Sequence, residues 1–334
     1  QNDYPQGEVV WTDAVDVFPV PKAHKAKFNF QVPVWNWFKV EADGTKTPAN
    51  HPLVPEKQGD YLFDPNLLPT LLWCLNTNKK GWISGHTGTG KSSLVEEVCA
   101  FLNYPLIRIN FDSEITRMDL IGRDTLSQEN GTTISRFEDG ILPQALAQPC
   151  VLLCDEIDFI RPDIAYVMQR ALEDKGLLIT EDGGRLITPH PFCRIIATAN
   201  TQGQGDDFGY QGARTQSMAF LDRFTVWLDV DYLPRSQEKK LVKARISDLD
   251  DKYLEQILDY VQEHRKAFID GDIGQPISPR GVLALCEAVK TFTSLYADAS
   301  QGLEIAIKST ILNKANPQDR NVLKGVVDRM FDFS

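Results

Sequence analysis

The sequence predicts an α/β fold, namely a parallel five-stranded sheet with helices on both faces, followed by a small all-helical lid. From Asp60 onward, short apolar runs alternate with amphipathic stretches, which is typical of strand and helix repeats. After Tyr232 the apolar residues recur only at helical spacing. We therefore expect three segments: an N-terminal arm over residues 1–58, an α/β core over 59–232 and a helical lid over 233–334.

The composition predicts a globular protein with two packed domains and an appended segment. Of the 334 residues, 42% are hydrophobic and 24% charged, and no apolar run approaches the roughly 18 residues of a membrane span. The first twenty residues carry no secretory signal, so we expect a cytoplasmic protein without membrane insertion. The net charge of −11 disfavours a broad nucleic-acid-binding face. The six cysteines and five histidines lack metal-ligand spacing, so we expect no intrinsic metal cage. The cysteines are interpreted as buried thiols.

The N-terminal segment is rich in proline and aromatic residues and shows no helical period. We interpret it as an extended arm. Two alternatives remain open: a segment packed against the core, or a dock for a neighbouring subunit or substrate. Its aromatic residues include Trp11, Phe18, Phe28, Phe30, Trp35, Trp37 and Phe38.

The predicted sheet is formed by five short apolar runs. The first run is followed by a glycine loop, after which apolar residues from Leu94 to Leu102 repeat at helical spacing. A helix therefore begins at the loop. The predicted strands cover Trp82–Ser84, Leu106–Asn110, Val151–Cys154 and Ile195–Thr198, and the fifth apolar run covers Thr225–Leu228.

Two β-hairpins are predicted as insertions in this pattern. The pair Asn130-Gly131 is a strong turn signal between the strand-like segments Gly122–Leu126 and Thr132–Phe137. The second hairpin comprises Leu177–Thr180 and Arg185–Thr188, joined by an acidic and glycine-rich turn. Between the hairpins, a helix is expected to start at Pro162.

The glycine loop has the pattern of a phosphate cradle, Gly-x-x-x-x-Gly-Lys-Ser, between a strand and a helix. Glycines allow backbone N–H groups to turn inward, and the helix N-terminus adds positive potential. We expect Lys91 to neutralise the β and γ phosphates of ATP and Ser92 to bind Mg²⁺. His86 is interpreted as a tolerated variable position. The predicted nucleotide-binding residues are Gly85, His86, Thr87, Gly88, Thr89, Gly90, Lys91, Ser92 and Ser93.

Two carboxylates follow the apolar strand that ends at Cys154. We expect Asp155 to orient the Mg²⁺ shell and Glu156 to polarise the attacking water as general base. The alternative is that these acids only cap the next helix. Asp158 is interpreted as a solvated acid.

Four further polar residues are candidates for the same reaction. Asn200 ends an apolar strand, where its amide can hold the lytic water against Glu156. Arg223 has no evident partner in its own chain and is interpreted as an arginine that serves a neighbouring subunit, with an ordinary surface arginine as the alternative. Arg280 lies in Ser278-Pro279-Arg280, a helix start from which it can sense the γ-phosphate. Arg214 is a possible second arginine of this trans type.

Together these motifs resemble AAA+ ATPases, and the two hairpins narrow the resemblance to the MoxR branch. Further segments look like the ATPase subunits of aerobic cobaltochelatases. The likeness runs from about Asp60 into the lid and is faint before it. The segments are Phe111-Asp112-Ser113, Arg117-Met118-Asp119-Leu120-Ile121-Gly122, Phe137-Glu138-Asp139-Gly140-Ile141-Leu142-Pro143, Arg161-Pro162-Asp163, Pro189-His190-Pro191 and Ala197-Thr198-Ala199-Asn200-Thr201.

The resemblance implies a hexameric ring with ATP and Mg²⁺ at each subunit boundary, where Arg223 reaches the neighbour's nucleotide. It also implies hairpins that face the pore or a partner, and a partner with a von Willebrand A domain. Residues 206–214 and the longer aromatic arm depart from the chelatase pattern. The leading hypothesis is therefore a motor that remodels an unknown client. The alternatives are a chelatase subunit that drives cobalt into a corrinoid, a nucleotide-gated interaction module with little turnover, and a nucleic-acid motor.

Overall fold

The computed structural model describes residues 4–59, 61–111, 114–129, 132–173, 175–205 and 212–331. The chain divides into two compact units. The first comprises Gln1–Gly85 and Gly90–Val230, and the second comprises His86–Thr89 and Asp231–Ser334. The change from mixed to helical structure after Tyr232 thus falls next to a boundary between units, and four residues of the glycine loop belong to the helical unit.

The secondary structure alternates through the first unit and is helical in the second. The strands are β1 (Gln6–Asp13), β2 (Gln31–Val40), β3 (Lys46–Pro48), β4 (Gly81–Ser84), β5 (Leu106–Asn110), β6 (Gly122–Glu129), β7 (Thr132–Asp139), β8 (Cys150–Asp155), β9 (Leu177–Ile179), β10 (Arg185–Ile187), β11 (Cys193–Thr198) and β12 (Val226–Asp229). The helices are α1 (Ala14–Val17), α2 (Leu67–Asn76), α3 (Lys91–Phe101), α4 (Arg117–Ile121), α5 (Ile141–Leu146), α6 (Pro162–Leu172), α7 (Met218–Leu221), α8 (Arg235–Arg245), α9 (Asp251–Ile269), α10 (Pro279–Leu295), α11 (Ala299–Ile307) and α12 (Pro317–Met330).

The central sheet has five strands in the order β12-β4-β11-β8-β5, and every pairing in it is parallel. Every residue of β8 and β11 is buried, as expected for strands covered on both faces. Because all five strands run in one direction, their carboxyl ends share one edge of the sheet. The predicted α/β fold with a five-stranded parallel sheet is confirmed.

The N-terminal segment forms an antiparallel sheet of three strands, β1-β2-β3, instead of an extended arm. Its buried aromatic side chains Phe18, Phe28, Trp35 and Trp37 belong to the same hydrophobic cluster as side chains of α2 and α3. The Trp35 backbone N–H also donates to the Leu102 carbonyl at 2.9 Å. These four aromatic residues therefore pack against the core, which is one of the two alternatives, whereas Trp11 is exposed.

Both predicted hairpins are present in the first unit. Strands β6 and β7 pair antiparallel from Gly122 opposite Asp139, and β9 pairs with β10 in the same sense. The turn residues Asn130 and Gly131 lie outside the described residues, as do residues 112–113 and 206–211 of the motifs above. All six cysteines are buried thiols outside any disulfide, which confirms the prediction of buried thiols.

The second unit is built from α8 to α12 around its own hydrophobic core. Helix α10 begins as its sequence predicts, since the Ser278 hydroxyl accepts from the Gly281 N–H at 3.2 Å and Pro279 occupies the first turn. In the part of the chain that the structure describes, every helix is too short or too polar to cross a membrane.

Candidate active site

The glycine loop joins β4 to α3 and closes on its lysine. Gly90, directly before α3, has φ +90°, a left-handed conformation that glycine adopts without strain. The Lys91 ammonium donates to the Gly85 carbonyl at 2.7 Å and to Asn200 Oδ1 at 3.0 Å. The end of β11 is thereby joined to the loop, and Ser93 lies beside these residues in the first turn of α3. Burial lowers the pKa of Lys91 to about 8, against the opposing effect of nearby carboxylates.

Asp155, the last residue of β8, is held by three side chains at the carboxyl edge of the central sheet. It is 4% exposed, and its Oδ1 accepts from the Ser92 hydroxyl at 2.8 Å and from the Thr198 hydroxyl. Its Oδ2 forms an ion pair with Arg108. The sequence reasoning identified Ser92 and Asp155 but missed Thr198 and Arg108. The missed signal was strand position, because Thr198 ends β11 and Arg108 lies on β5, the other neighbour of β8.

Glu156 follows β8 in a strained backbone conformation. Its φ of 56° lies in the left-handed region, which a residue with a Cβ rarely adopts and which occurs at functional sites. Desolvation by surrounding protein atoms raises the pKa of Glu156, and the charges of Asp155 and Asp158 raise it further. A raised pKa makes a carboxylate a better proton acceptor.

Asp158 is not a solvated acid, as the sequence suggested. It is fully buried, and its Oδ2 accepts from the backbone N–H groups of Asn200 at 2.9 Å and Thr201 at 3.2 Å. Burial raises the pKa of Asp158, and these backbone hydrogen bonds lower it. Because Asp158 and Glu156 are separated by one residue, this contact fixes the end of β11 relative to the end of β8.

The two candidate trans arginines lie in the first unit. Arg223 does have a partner in its own chain, contrary to the sequence interpretation, since its guanidinium lies 2.5 Å from Glu173 Oε1 and also donates to the Ala219 carbonyl. Arg214 has an exposed side chain, and its backbone N–H donates to the Asp158 carbonyl at 2.8 Å. Neither contact joins these guanidinium groups to the glycine loop.

Arg280 belongs to the second unit, where it lies exposed on the first turn of α10. The same unit contains the loop residues 86–89. The His86 ring stacks on Tyr232 with centroids 6.0 Å apart and meets the Phe268 ring edge at 5.3 Å. A Cβ on Gly88 would lie 2.3 Å from the Ser278 Cβ, so this glycine is required for close packing beside the start of α10.

The residues at this edge suit a phosphate group and a hard cation. Lys91 and the N-terminus of α3 supply positive potential at one place. The Ser92 hydroxyl and the Asp155 carboxylate, in hydrogen-bond contact, are oxygen ligands of the kind that Mg²⁺ takes together with phosphate oxygens. A glycine loop that opens a helix, with these partners, defines a P-loop nucleotide-binding protein, and the sheet order followed by a helical unit defines the AAA+ class.

Comparison with known proteins agrees with this class. Residues 82–224 match the AAA domain family of the dynein-related subfamily. The aerobic cobaltochelatase subunit CobS of Sinorhizobium sp is 37% identical over 283 residues, which are 83% of this chain and 83% of CobS. The chain therefore belongs to the AAA+ ATPases related to CobS, which confirms the resemblance seen in the motifs.

Two more distant proteins are also similar to this chain, one in sequence and one in structure. An uncharacterized protein of Staphylococcus haemolyticus is 26% identical over 77% of this chain and 92% of its own length. The Thermotoga maritima RuvB Holliday junction branch migration motor superposes with a TM-score of 0.52 at 15% identity, over 83% of this chain and 80% of RuvB. At that identity the superposition supports the fold alone.

Proposed function

We propose that the protein hydrolyses ATP in a Mg²⁺-dependent reaction and uses the energy to remodel or activate a client protein, as a ring-forming MoxR-type motor. The observation that carries this proposal is the convergence of Lys91, Ser92, Asp155 and Asn200 through direct hydrogen bonds at one edge of the sheet. Phosphoryl transfer needs positioning and charge stabilisation more than covalent chemistry, and this edge supplies both.

Each residue has a distinct role in the proposed reaction. Lys91 exchanges its hydrogen bonds to neutral oxygens for contacts with the β and γ phosphates. Glu156 accepts the proton of the attacking water, and its raised pKa favours that transfer. Asn200, held by Asp158, presents an amide that orients the water. Arg280, on the second unit, is proposed to sense the γ-phosphate.

A metal ion has a defined place in this scheme. Ser92 and Asp155 are the residues that would hold Mg²⁺, the first through its hydroxyl and the second through a carboxylate oxygen. When bound, the cation supplies neutralisation of the charge that develops on the phosphate oxygens.

Steady-state phosphate release tests the hydrolysis itself. We expect Glu156→Gln to lower the rate on the order of a hundredfold or more, because removal of an essential group in phosphoryl transfer costs several kcal/mol of barrier. Nucleotide binding is expected to persist in this variant. Glu287→Gln, a change of the same type at an exposed position of α10, is the matched control. Equal rates in wild type and Glu156→Gln would rule out the assigned base.

We further propose that the active form is a hexameric ring, that Arg223 acts on the neighbour's nucleotide with Arg214 as the second candidate, and that a von Willebrand A domain protein transmits the motion to the client. Support comes from the membership of the chain in the AAA+ ATPases. It also comes from Arg223, whose guanidinium contacts Glu173 and the Ala219 carbonyl and not the glycine loop of its own chain. Sedimentation velocity with a non-hydrolysable ATP analogue tests assembly. A monomer under all nucleotide conditions would contradict the ring.

A second candidate function is that of a chelatase subunit, in which hydrolysis drives Co²⁺ into a corrinoid ring. The observation that favours it is the 37% identity to CobS, which is named as an aerobic cobaltochelatase subunit. Reconstitution with the cognate partner proteins, followed by the absorption spectrum of the corrinoid, separates the two candidates. Cobalt insertion that requires ATP and this chain would favour the chelatase, and its absence with active partners would favour the motor.

A further inference from the structure

Arg108 lies between two carboxylates of the first unit. It is the central residue of β5, and its guanidinium forms an ion pair with Asp155 Oδ2 and a second with Glu96 Oε1 at 3.2 Å. The Arg108 side chain is 49% exposed, whereas the Asp155 side chain is 6% exposed. A long and half-exposed arginine therefore reaches a buried carboxylate that the proposed reaction assigns to the metal site.

Both oxygens of Asp155 are occupied by groups of the protein. Oδ1 accepts from the Ser92 and Thr198 hydroxyls, and Oδ2 pairs with Arg108. A buried carboxylate requires compensation of its charge, and the guanidinium supplies it. A divalent cation at the same carboxylate is repelled by the guanidinium, because like charges a few ångströms apart interact strongly at the dielectric of a protein interior. The arginine and the metal therefore compete for Asp155.

We propose that Arg108 is a built-in counter-cation that pairs with Asp155 and shifts to Glu96 when nucleotide and Mg²⁺ bind. This proposal rests on the proposed Mg²⁺-dependent function. Arg108 is then a positioning residue that weakens metal binding, and Glu96 strengthens metal binding by accepting the displaced guanidinium.

The shift requires only side-chain rotation. Glu96 lies on α3 and already contacts Arg108, so the guanidinium has a partner in either position. The exposed half of the Arg108 side chain is free of dense packing, which lowers the cost of a change of rotamer. Ser92 and Thr198 keep Asp155 in place after the arginine leaves, through hydrogen bonds that do not involve it.

Substitution of Arg108 and substitution of Glu96 are predicted to change metal affinity in opposite directions. Mn²⁺ binding in the presence of saturating ADP is measured by electron paramagnetic resonance, with Mn²⁺ as the probe for the Mg²⁺ site. We expect Arg108→Gln to lower the Kd for Mn²⁺ about fivefold to tenfold, as for loss of a half-exposed charge worth about 1 kcal/mol. Glu96→Gln is expected to raise it severalfold, and Arg108→Lys to stay near wild type. Arg117→Gln breaks a surface ion pair with Glu181 and is the matched control.

A purely structural role for Arg108 predicts weaker Mn²⁺ binding in both Arg108→Gln and Glu96→Gln. The direction of the change in Kd for Arg108→Gln therefore distinguishes the two roles. Unchanged or weaker Mn²⁺ binding by folded Arg108→Gln overturns this proposal while wild-type binding upholds the proposed function. Absence of ADP-dependent Mn²⁺ binding by wild type overturns both. Circular dichroism checks folding, and if Arg108→Gln does not fold, unchanged or tighter binding by Glu96→Gln overturns the proposal on its own.

Discussion

The Lys91 ammonium donates to Asn200 Oδ1 at 3.0 Å, which joins the glycine loop to the carboxyl end of β11. The sequence assigned these residues to separate tasks, phosphate binding and water positioning. Their contact shows that Asn200 also fixes the lysine, and Asp158 in turn fixes the Asn200 backbone. A change at Asn200 therefore acts on two parts of the site at once.

We expect Asn200→Ala to lower ATP turnover about tenfold to a hundredfold and to change nucleotide affinity less, because a positioned polar group at the reacting centre contributes mainly to the transition state. Asn200→Asp is expected to weaken ADP binding more than Asn200→Ala, since a carboxylate near Lys91 competes with phosphate. Phosphate release and ADP titration measure the two effects. The control is Asn36→Asp, which introduces the same change at an exposed position of β2. Tighter ADP binding by Asn200→Asp than by wild type would contradict the proposed contact between Asn200 and the phosphate-binding lysine.

Asp158→Ala is expected to destabilise the first unit by about 2 to 5 kcal/mol, because a buried backbone N–H group and a partly buried one lose their acceptor. Asp158→Asn keeps an acceptor oxygen and is expected to cost less. Urea unfolding followed by tryptophan fluorescence reports this unit, since all six tryptophans precede Tyr232. The control is Asp163→Ala, at an exposed position of α6. Equal unfolding midpoints for both alanine variants would refute the structural role of Asp158.

The sheet and the glycine loop were predictable because they depend on local patterns. An apolar run of the β8 type is buried in any parallel sheet, and the loop has a fixed spacing of glycine, lysine and serine. The parallel order also accounts for why Asp155 and Asn200 lie at the same edge of the sheet, since β8 and β11 are neighbouring strands and Asn200 follows the end of β11.

The errors concern contacts between residues far apart in sequence. Asp158 and Asp155 both follow apolar residues, and nothing local distinguishes the acid that binds two backbone N–H groups 42 and 43 positions away. Glu173 and Arg223 are likewise 50 residues apart. The arm was interpreted as extended because strand pairing between β1 and β2 leaves no signature in composition. These contacts and strand pairings join residues far apart in the chain, and the local periodicity of apolar residues does not predict them.

The stability of the second unit is expected to fall as pH decreases from about 6.5 toward 4. Burial lowers the pKa of His264 from its ordinary 6.5 to about 4, so the folded unit keeps the imidazole neutral while the unfolded chain protonates. The neutral ring accepts from the Tyr260 hydroxyl at 2.9 Å and donates to the Gln275 carbonyl at 3.0 Å. The full loss amounts to about 3 kcal/mol.

Urea unfolding by circular dichroism at a series of pH values measures this loss, and tryptophan fluorescence reports the first unit separately. We expect His264→Gln to lower the stability of the second unit at pH 7 and to flatten its pH dependence below 6.5. The matched control is His24→Gln in the N-terminal segment. If the urea midpoint for unfolding of the second unit stays constant between pH 7 and 4.5, His264 does not control the pH dependence of its stability.

Arg223 is expected to act on a neighbouring subunit although it pairs with Glu173 in its own chain. Lys91→Ala and Arg223→Ala are each expected to abolish most ATP turnover, the first by removing the phosphate contact and the second by removing charge stabilisation from the next site. In mixed rings some boundaries combine an intact loop with an intact arginine. Mixing the two variants should therefore restore part of the phosphate release, measured across mixing ratios.

Glu173→Gln separates the trans role from a structural one. If Glu173 pairs with Arg223 only in the unassembled subunit, Glu173→Gln leaves ATP turnover of the assembled protein unchanged or raises it. If the pair instead stabilises the end of α6, Glu173→Gln and Arg223→Ala lower the unfolding midpoint equally and the mixed subunits show no rescue. The Arg223–Glu173 pair is partly exposed, and an ion pair of this kind contributes little to stability. A large loss of turnover in Arg223→Ala without a matching loss of stability therefore supports a contact outside its own chain.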